Sequence, residues 1–275
     1  MREQRRSTKD KRKAEERLIA LLTDFGDRDH YVGTVKGVIL SINPRARIVD
    51  ISHNVSPQNI EQAGYLLWAS YRYFPEETIF VCVVDPGVGS GRRIVAVNTD
   101  RRTFIAPDNG LLDLVLSQEE IRRSYEILRS PRPGSRPVSA TFHGRDIFAP
   151  LAAQLSLGKS LSGFGRVCKL NNPVPRFYEP GRDTSARILH IDHFGNLVTN
   201  IPAQYSGRCS LDVGGKRIST WIQSYSEAPL HRSCMIVGSS GLIEIVLKDG
   251  SAAKALGADL GTSIAVCQVD PSLKS

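Results

Sequence analysis

No stretch of this 275-residue chain approaches the ~20 consecutive apolar residues that a membrane-spanning helix needs. The opening residues, MREQRRSTKDKRKAEERL, hold no apolar segment and do not read as a secretory signal. Cysteine is sparse: Cys82, Cys168, Cys209, Cys234 and Cys267 are scattered, odd in number and form no CxxC pair. That argues against a disulfide framework and for reduced thiols in a cytoplasm. GxGxxG does not follow the first apolar run and GxxxxGK[ST] occurs nowhere, which disfavours an ordinary dinucleotide or P-loop phosphate site. HxH, HExxH and paired Cys/His spacings are missing too, so no metal is expected. RNP motifs, zinc fingers and basic-aromatic stripes, the marks of nucleic-acid readers, do not occur.

What is present fits a globular protein: 41% hydrophobic and 23% charged residues, in a chain long enough for one large or two modest domains. The formal net charge is +8, and residues 1–17 carry half of it, with eight Lys/Arg against four Asp/Glu. Such a short basic tail reads as a solvated extension, and neither nucleic acid nor membrane is expected as a partner.

Beyond the tail, apolar strand-like runs alternate with helical patterns. Leu18–Leu22, Arg47–Ile51 and Ile79–Val84 read as strands; Tyr31–Ile42 and Pro57–Phe74 read as helices, the second with Pro57 in its first turn. Ile94–Val97 and Thr103–Ala106 are two further strands, a helix starts near Leu111, and another spans Ile147–Leu157. This order implies a mainly parallel α/β sandwich over residues 18–170. The Pro/Gly-rich segment 171–183 reads as a linker. Residues 184–275 hold short β-type runs separated by turns, GG at 214–215 and DG at 249–250 among them, and read as a small antiparallel barrel-like domain.

Ligands in open α/β sheets bind at the C-terminal ends of the strands. Two carboxylates fall there: Asp24 after the first strand and Asp85 after the third. Asp85 opens DPGVGSGRR, whose glycines and proline fold Arg92 back towards it; His143, in TFHGRDIFAP, is expected in a similar strand-to-helix setting. Separately, each has an ordinary structural reading as a cap, an ion pair or a core histidine. Together, Asp, Arg and His can grip one water: Arg stabilises negative charge, Asp accepts a proton, and His does either near neutral pH. Asp24 suits a ribose, because a carboxylate can accept from two vicinal hydroxyls. In the second domain, DHFGN supplies Asp192, the flat face of Phe194 and the paired donor and acceptor of Asn196, which suit a purine; an Asx turn beside a core Phe is the plainer alternative. Ser239 lies in a polar GSSG turn.

The segments LLTDFG (21–26), YVGTVKGVI (31–39), VDPGVGSGRR (84–93), APDNGLL (106–112), FHGRDIFAP (142–150) and DHFGNLVTNI (192–201) resemble those of the S-adenosyl-L-methionine (SAM) hydroxide adenosyltransferases, relatives of the fluorinases and chlorinases. The resemblance runs from about Leu18 to Val269. It implies an α/β domain followed by a β-barrel-like domain, and a homotrimer that holds SAM between one subunit's N-terminal domain and its neighbour's C-terminal domain. It implies hydrolysis of SAM to adenosine and methionine, with SAM as substrate and no separate cofactor. Asp85, Arg92 and His143 match the water-activating residues, Asp85 taking the proton directly or through His143. Asp24 matches the ribose carboxylate; Asp192, Phe194 and Asn196 match residues that touch the methionine end and the adenine; Ser239 matches a methionine-contacting serine. Where the halogenases follow that serine with arginine, this chain has Ser240. The halogenases lack the Asp and Arg of the VDPGVGSGRR segment, so the resemblance favours water over halide as nucleophile. A non-catalytic SAM or adenosine binder is the alternative.

Overall fold

The computed structural model describes residues 17–128, 137–171, 177–182 and 185–267. The basic tail up to residue 16, parts of the expected linker (172–176 and 183) and residue 184 lie outside them. The chain folds as two compact units, Met1–Val174 and Pro175–Ser275.

The first unit opens with β1 (Leu18–Thr23), α1 (Tyr31–Ile42), β2 (Arg47–Ser52), α2 (Ile60–Ser70) and β3 (Ile79–Val83). Then follow β4 (Ile94–Thr99), β5 (Thr103–Pro107), the single turn α3 (Asp113–Leu116), β6 (Ile121–Ile127), α4 (Ala149–Ser156) and β7 (Gly165–Val167). The sheet order is β2-β1-β3-β5-β4-β6-β7. β1 pairs in parallel with β2 and β3, and β3 with β5; β4 and β7 run against their neighbours. Ile19, Leu21, Val81 and Val83 pack under α1 and α4, with Phe148 and Leu151, on one face. On the other, Phe80 and Phe104 stack on each other, and Tyr71, just beyond α2, meets Phe104 edge-on. Burial on both faces is why these strands read as continuous apolar runs rather than alternating ones.

Three local readings are corrected. Helix α2 does not start at Pro57: Gln58 is left-handed (φ 63°) and Asn59 caps the helix, its Oδ1 accepting from Gln62 N at 2.9 Å. Strands β6 and β7 have no counterpart among the expected elements, because β6 (IRRSYEI) buries only Ser124 and Tyr125 well and so carries little apolar signal. The Asp249-Gly250 pair does not make a hairpin; it leads into α5 (Ala252–Leu256), capped by Ser251.

The second unit contains β8 (Ile188–Ile191), β9 (Leu197–Pro202), β10 (Ser210–Val213), β11 (Lys216–Ile218), β12 (Ser233–Val237), β13 (Leu242–Leu247), α5 and β14 (Ile264–Cys267). Two antiparallel sheets form, β11-β10-β14 and β12-β13-β9-β8. Bridges at Arg187–Ser263 and Trp221–Met235 join them at both edges and close a barrel around Leu197, Leu211, Ile243 and Ile245. The Gly214-Gly215 pair makes the expected β10–β11 hairpin turn, both residues having positive φ. Among the described residues, no helix is long and apolar enough to cross a membrane.

Phe148 is fully buried where a wide π turn, Gly144–Phe148, runs into α4. Phe148→Ala is expected to destabilise the first unit by about 3–5 kcal/mol, read as a lower midpoint in urea unfolding.

Candidate active site

Asp85 follows β3, Arg92 precedes β4, and His143 caps the π turn before α4. The three side chains meet. Arg92 Nε donates to Asp85 Oδ1 at 2.8 Å and Oδ2 at 2.9 Å, and Nη2 also reaches Oδ2. The same Nη2 lies 2.8 Å from His143 Nδ1. The ion pair is shielded, the Asp85 side chain being 6% exposed and that of Arg92 14%.

Arg92 can only donate, so His143 Nδ1 must accept, and the proton of the neutral imidazole sits on Nε2. Burial, and then the Arg92 charge, hold the His143 pKa below the ordinary value of 6.5, against the opposing pull of Asp85 and Asp146.

Local packing explains the convergence. Gly89 (φ 79°) lies against the His143 segment so closely that a Cβ there would fall 2.2 Å from the Ala140 carbonyl oxygen. Asn109 Nδ2 donates to Val84 O at 2.9 Å, tethering the residue before Asp85 to the loop after β5. His143 is not in the expected strand-to-helix setting. Residues 137–142 form no strand, and the buried Asp146 carboxylate accepts from Ser139 N at 2.9 Å and from Arg145 instead.

Asp24 stands at the same sheet edge as Asp85, since Thr23 of β1 pairs with Val83 of β3. Its Oδ2 accepts from Gln58 N at 2.9 Å. The Phe25 ring meets Phe142 edge-on at 6.0 Å, tying the Asp24 turn to the residue before His143.

The second unit gathers the other residues. Asp192, Phe194 and Asn196 line a cavity of about 740 Å³ together with Tyr225, Val246 and Lys248. Asp192 makes the Asx-type turn: Oδ1 accepts from Phe194 N and Asn196 N at 2.9 and 2.8 Å, and Oδ2 from Asn196 Nδ2 at 2.9 Å. One Asn196 donor is thus committed to Asp192, and the Phe194 ring, 74% exposed, is no core residue. Ser239 is exposed on the turn between β12 and β13 and does not line the cavity. Sequence reasoning passes over Glu244, a lone carboxylate in LIEIVL that is 7% exposed and accepts from Tyr225 Oη at 3.1 Å. The signal that could find it is a charge interrupting an otherwise apolar strand. Among the described residues, no group of three or more His, Cys, Asp or Glu could hold a metal ion.

Comparison with known proteins places this arrangement. The SAM hydroxide adenosyltransferase N-terminal domain profile matches residues 19–165, and the C-terminal domain profile matches residues 186–265. The chain belongs to the SAM hydroxide adenosyltransferase family. It is 36% identical to the (R)-S-adenosyl-L-methionine hydrolase of Thermus thermophilus, over 90% of this chain and 98% of that protein. It is 31% identical to a fluorinase of an Actinoplanes species, over 67% of this chain and 71% of the fluorinase. The crystal structure of an uncharacterized conserved protein from Thermotoga maritima superposes with a TM-score of 0.81 at 34% identity, covering 91% of this chain and all of that one.

Because protonating Nδ1 would set His143 against the Arg92 N–H, this contact requires the neutral imidazole. The lowered pKa keeps that form as pH falls through 6.5, so the acid limb of the family reaction should have its midpoint below 6.5. A pH profile of kcat/KM whose acid limb lies at or above neutrality would contradict this arrangement.

Proposed function

We propose that this protein hydrolyses S-adenosyl-L-methionine to adenosine and L-methionine, with Asp85, Arg92 and His143 holding the attacking water. The observation that carries the reading is the Arg92 guanidinium joined to both Asp85 and His143, in a chain whose relatives include proteins named (R)-S-adenosyl-L-methionine hydrolase. The water oxygen attacks C5′ of the ribose in line with the C–S bond. That bond breaks, its electron pair goes to sulfur, and methionine leaves as a neutral thioether. The sulfonium is already a good leaving group, so the reaction needs neither an acid nor a metal at sulfur. The difficulty lies in the nucleophile, and aligning it supplies several kcal/mol of the barrier reduction, up to ~7–11 in ideal geometry.

The tautomer of His143 narrows the proton's route. With Nδ1 occupied by Arg92 and Nε2 protonated, the imidazole has no free lone pair and serves as a donor to the water oxygen. Asp85 takes the proton directly, and Arg92 stabilises the hydroxide character that develops. Asp24 would accept from the ribose hydroxyls, Phe194 would stack on the adenine and Asn196 would read its edge; Asp192 and Ser239 would serve the methionine end. No cofactor beyond the substrate is required. The five cysteines are free, in keeping with a cytoplasmic setting. Each unit offers part of a site, and a homotrimer would complete it by joining one chain's first unit to its neighbour's second.

Two experiments test this. Incubation with SAM of both sulfur configurations in ¹⁸O-water should give methionine and adenosine labelled at the 5′-hydroxyl. Asp85→Asn should lower turnover by about 10²–10⁴-fold with SAM affinity largely kept. Tight binding without turnover would mean a binder, and normal turnover by Asp85→Asn would remove Asp85 from the mechanism. For the assembly, Asp85→Asn and Asn196→Ala subunits, each inactive alone, are unfolded together and refolded at equal ratio. Sites shared between subunits should recover about a quarter of the wild-type activity, whereas sites confined to single chains should recover none.

A further inference from the structure

The turn that carries Asp24 is gripped by the segment that follows β2. Before Asp24, the Thr23 hydroxyl lies 2.8 Å from His53 Nδ1. After it, Gly26, at a positive φ of 67°, donates from its N–H to the His53 carbonyl oxygen at 2.7 Å. Further along the same segment, Gln58 N donates to Asp24 Oδ2 at 2.9 Å. Among the described residues this is the one hydrogen bond of the Asp24 carboxylate, so its placement depends on the backbone around it.

The His53 ring is itself held. Its Nε2 lies 3.0 Å from Asp50 Oδ1, and Asp50 Oδ2 accepts from Lys36 Nζ at 2.6 Å. An ionised carboxylate only accepts, so Nε2 carries the proton, and Nδ1 of the neutral ring accepts from the Thr23 hydroxyl. That hydroxyl accepts in turn from Phe25 N at 3.2 Å. The contacts therefore run from Lys36 on α1, through Asp50 on β2 and His53, to the backbone on both sides of Asp24. Thr23 is 2% exposed and the His53 side chain 10%, so water is a poor substitute for either partner. With Oδ2 tied to Gln58 N and the flanking backbone fixed, the remaining lone pairs of Asp24 have a set direction.

Resting on the ribose role proposed for Asp24, we propose that His53 is a positioning residue. It aims the Asp24 carboxylate at the two ribose hydroxyls and so makes the site selective for a ribonucleoside over its dideoxy counterpart.

The test is calorimetric and uses the full chain with adenosine and 2′,3′-dideoxyadenosine, neither of which has a C–S bond to cleave. The wild-type protein should prefer adenosine. His53→Ala should weaken adenosine binding about tenfold and dideoxyadenosine binding by no more than about twofold. Thr23→Val, which keeps the shape and removes the hydroxyl, should reproduce that selective loss. In an Asp24→Ala background, His53→Ala should cost nothing further, because groups that act through one contact are not additive. Equal weakening of both nucleosides, the mark of a merely structural histidine, overturns the proposal. So does unchanged adenosine binding, or full additivity with Asp24→Ala. If His53→Ala does not fold, Thr23→Val decides by the same criteria. A protein that prefers adenosine through His53 yet leaves SAM intact refutes the hydrolase reading alone. One that cleaves SAM without any preference for the ribose hydroxyls refutes the positioning role alone, and one that binds neither SAM nor adenosine refutes both.

Discussion

One guanidinium organises the polar cluster at the strand ends of the first unit. Arg92 forks onto the Asp85 carboxylate and spends the other side of Nη2 on His143. Its planar fork only donates, so it sets the hydrogen-bond direction of both neighbours at once. Lysine would bring a point charge in place of the planar fork and would leave the imidazole tautomer unspecified. The surrounding features serve this contact. Gly89 admits the close approach of the Ala140 backbone, Asn109 pins Val84, and the Phe25–Phe142 ring pair holds the neighbouring turn against the His143 segment.

The two units solve different problems. The parallel sheet of the first is covered on both faces, which makes a stiff platform and leaves the strand ends for chemistry. Asp24 and Asp85 stand there because β1 and β3 are neighbours in register. The second unit closes its strands into a barrel, so its core is satisfied internally and the outer face of β13 is left for a cavity. A sulfonium substrate suits such a division. Its positive charge on sulfur vanishes in the reaction, so that centre gains from low polarity, whereas its amino-acid end keeps its charges and needs fixed partners.

The elements legible from sequence are those whose pattern is local. Helix α1 ends at Ile42 before Asn43-Pro44 as its stop signal requires, and β13 spans Leu242–Leu247 as its apolar run implies. The Gly214-Gly215 turn follows from backbone freedom alone. Where long-range contacts decide, the pattern misleads. Strand β6, one in from the edge, exposes Arg122 and Arg123 and is a strand because β4 and β7 pair with it. Pro57 looks like a helix start, but Gln58 turns left-handed beneath the Asp24 carboxylate, which accepts its N–H.

By itself, the sequence determined the order of strands and helices, the presence of Asp85 and Arg92 seven residues apart around a glycine-rich turn, and the motifs of the family. Those depend on propensity, on periodicity and on residue identity, all of which are local. Only the tertiary structure decided that His143, 51 residues beyond Arg92, accepts from it and therefore carries its proton on Nε2. Only the tertiary structure, likewise, showed that Asp192 is absorbed by its own loop while Glu244 lies buried against the Tyr225 hydroxyl. Hydrogen-bond direction and desolvation are set by which groups meet and which are shielded from water, and no spacing along the chain encodes that.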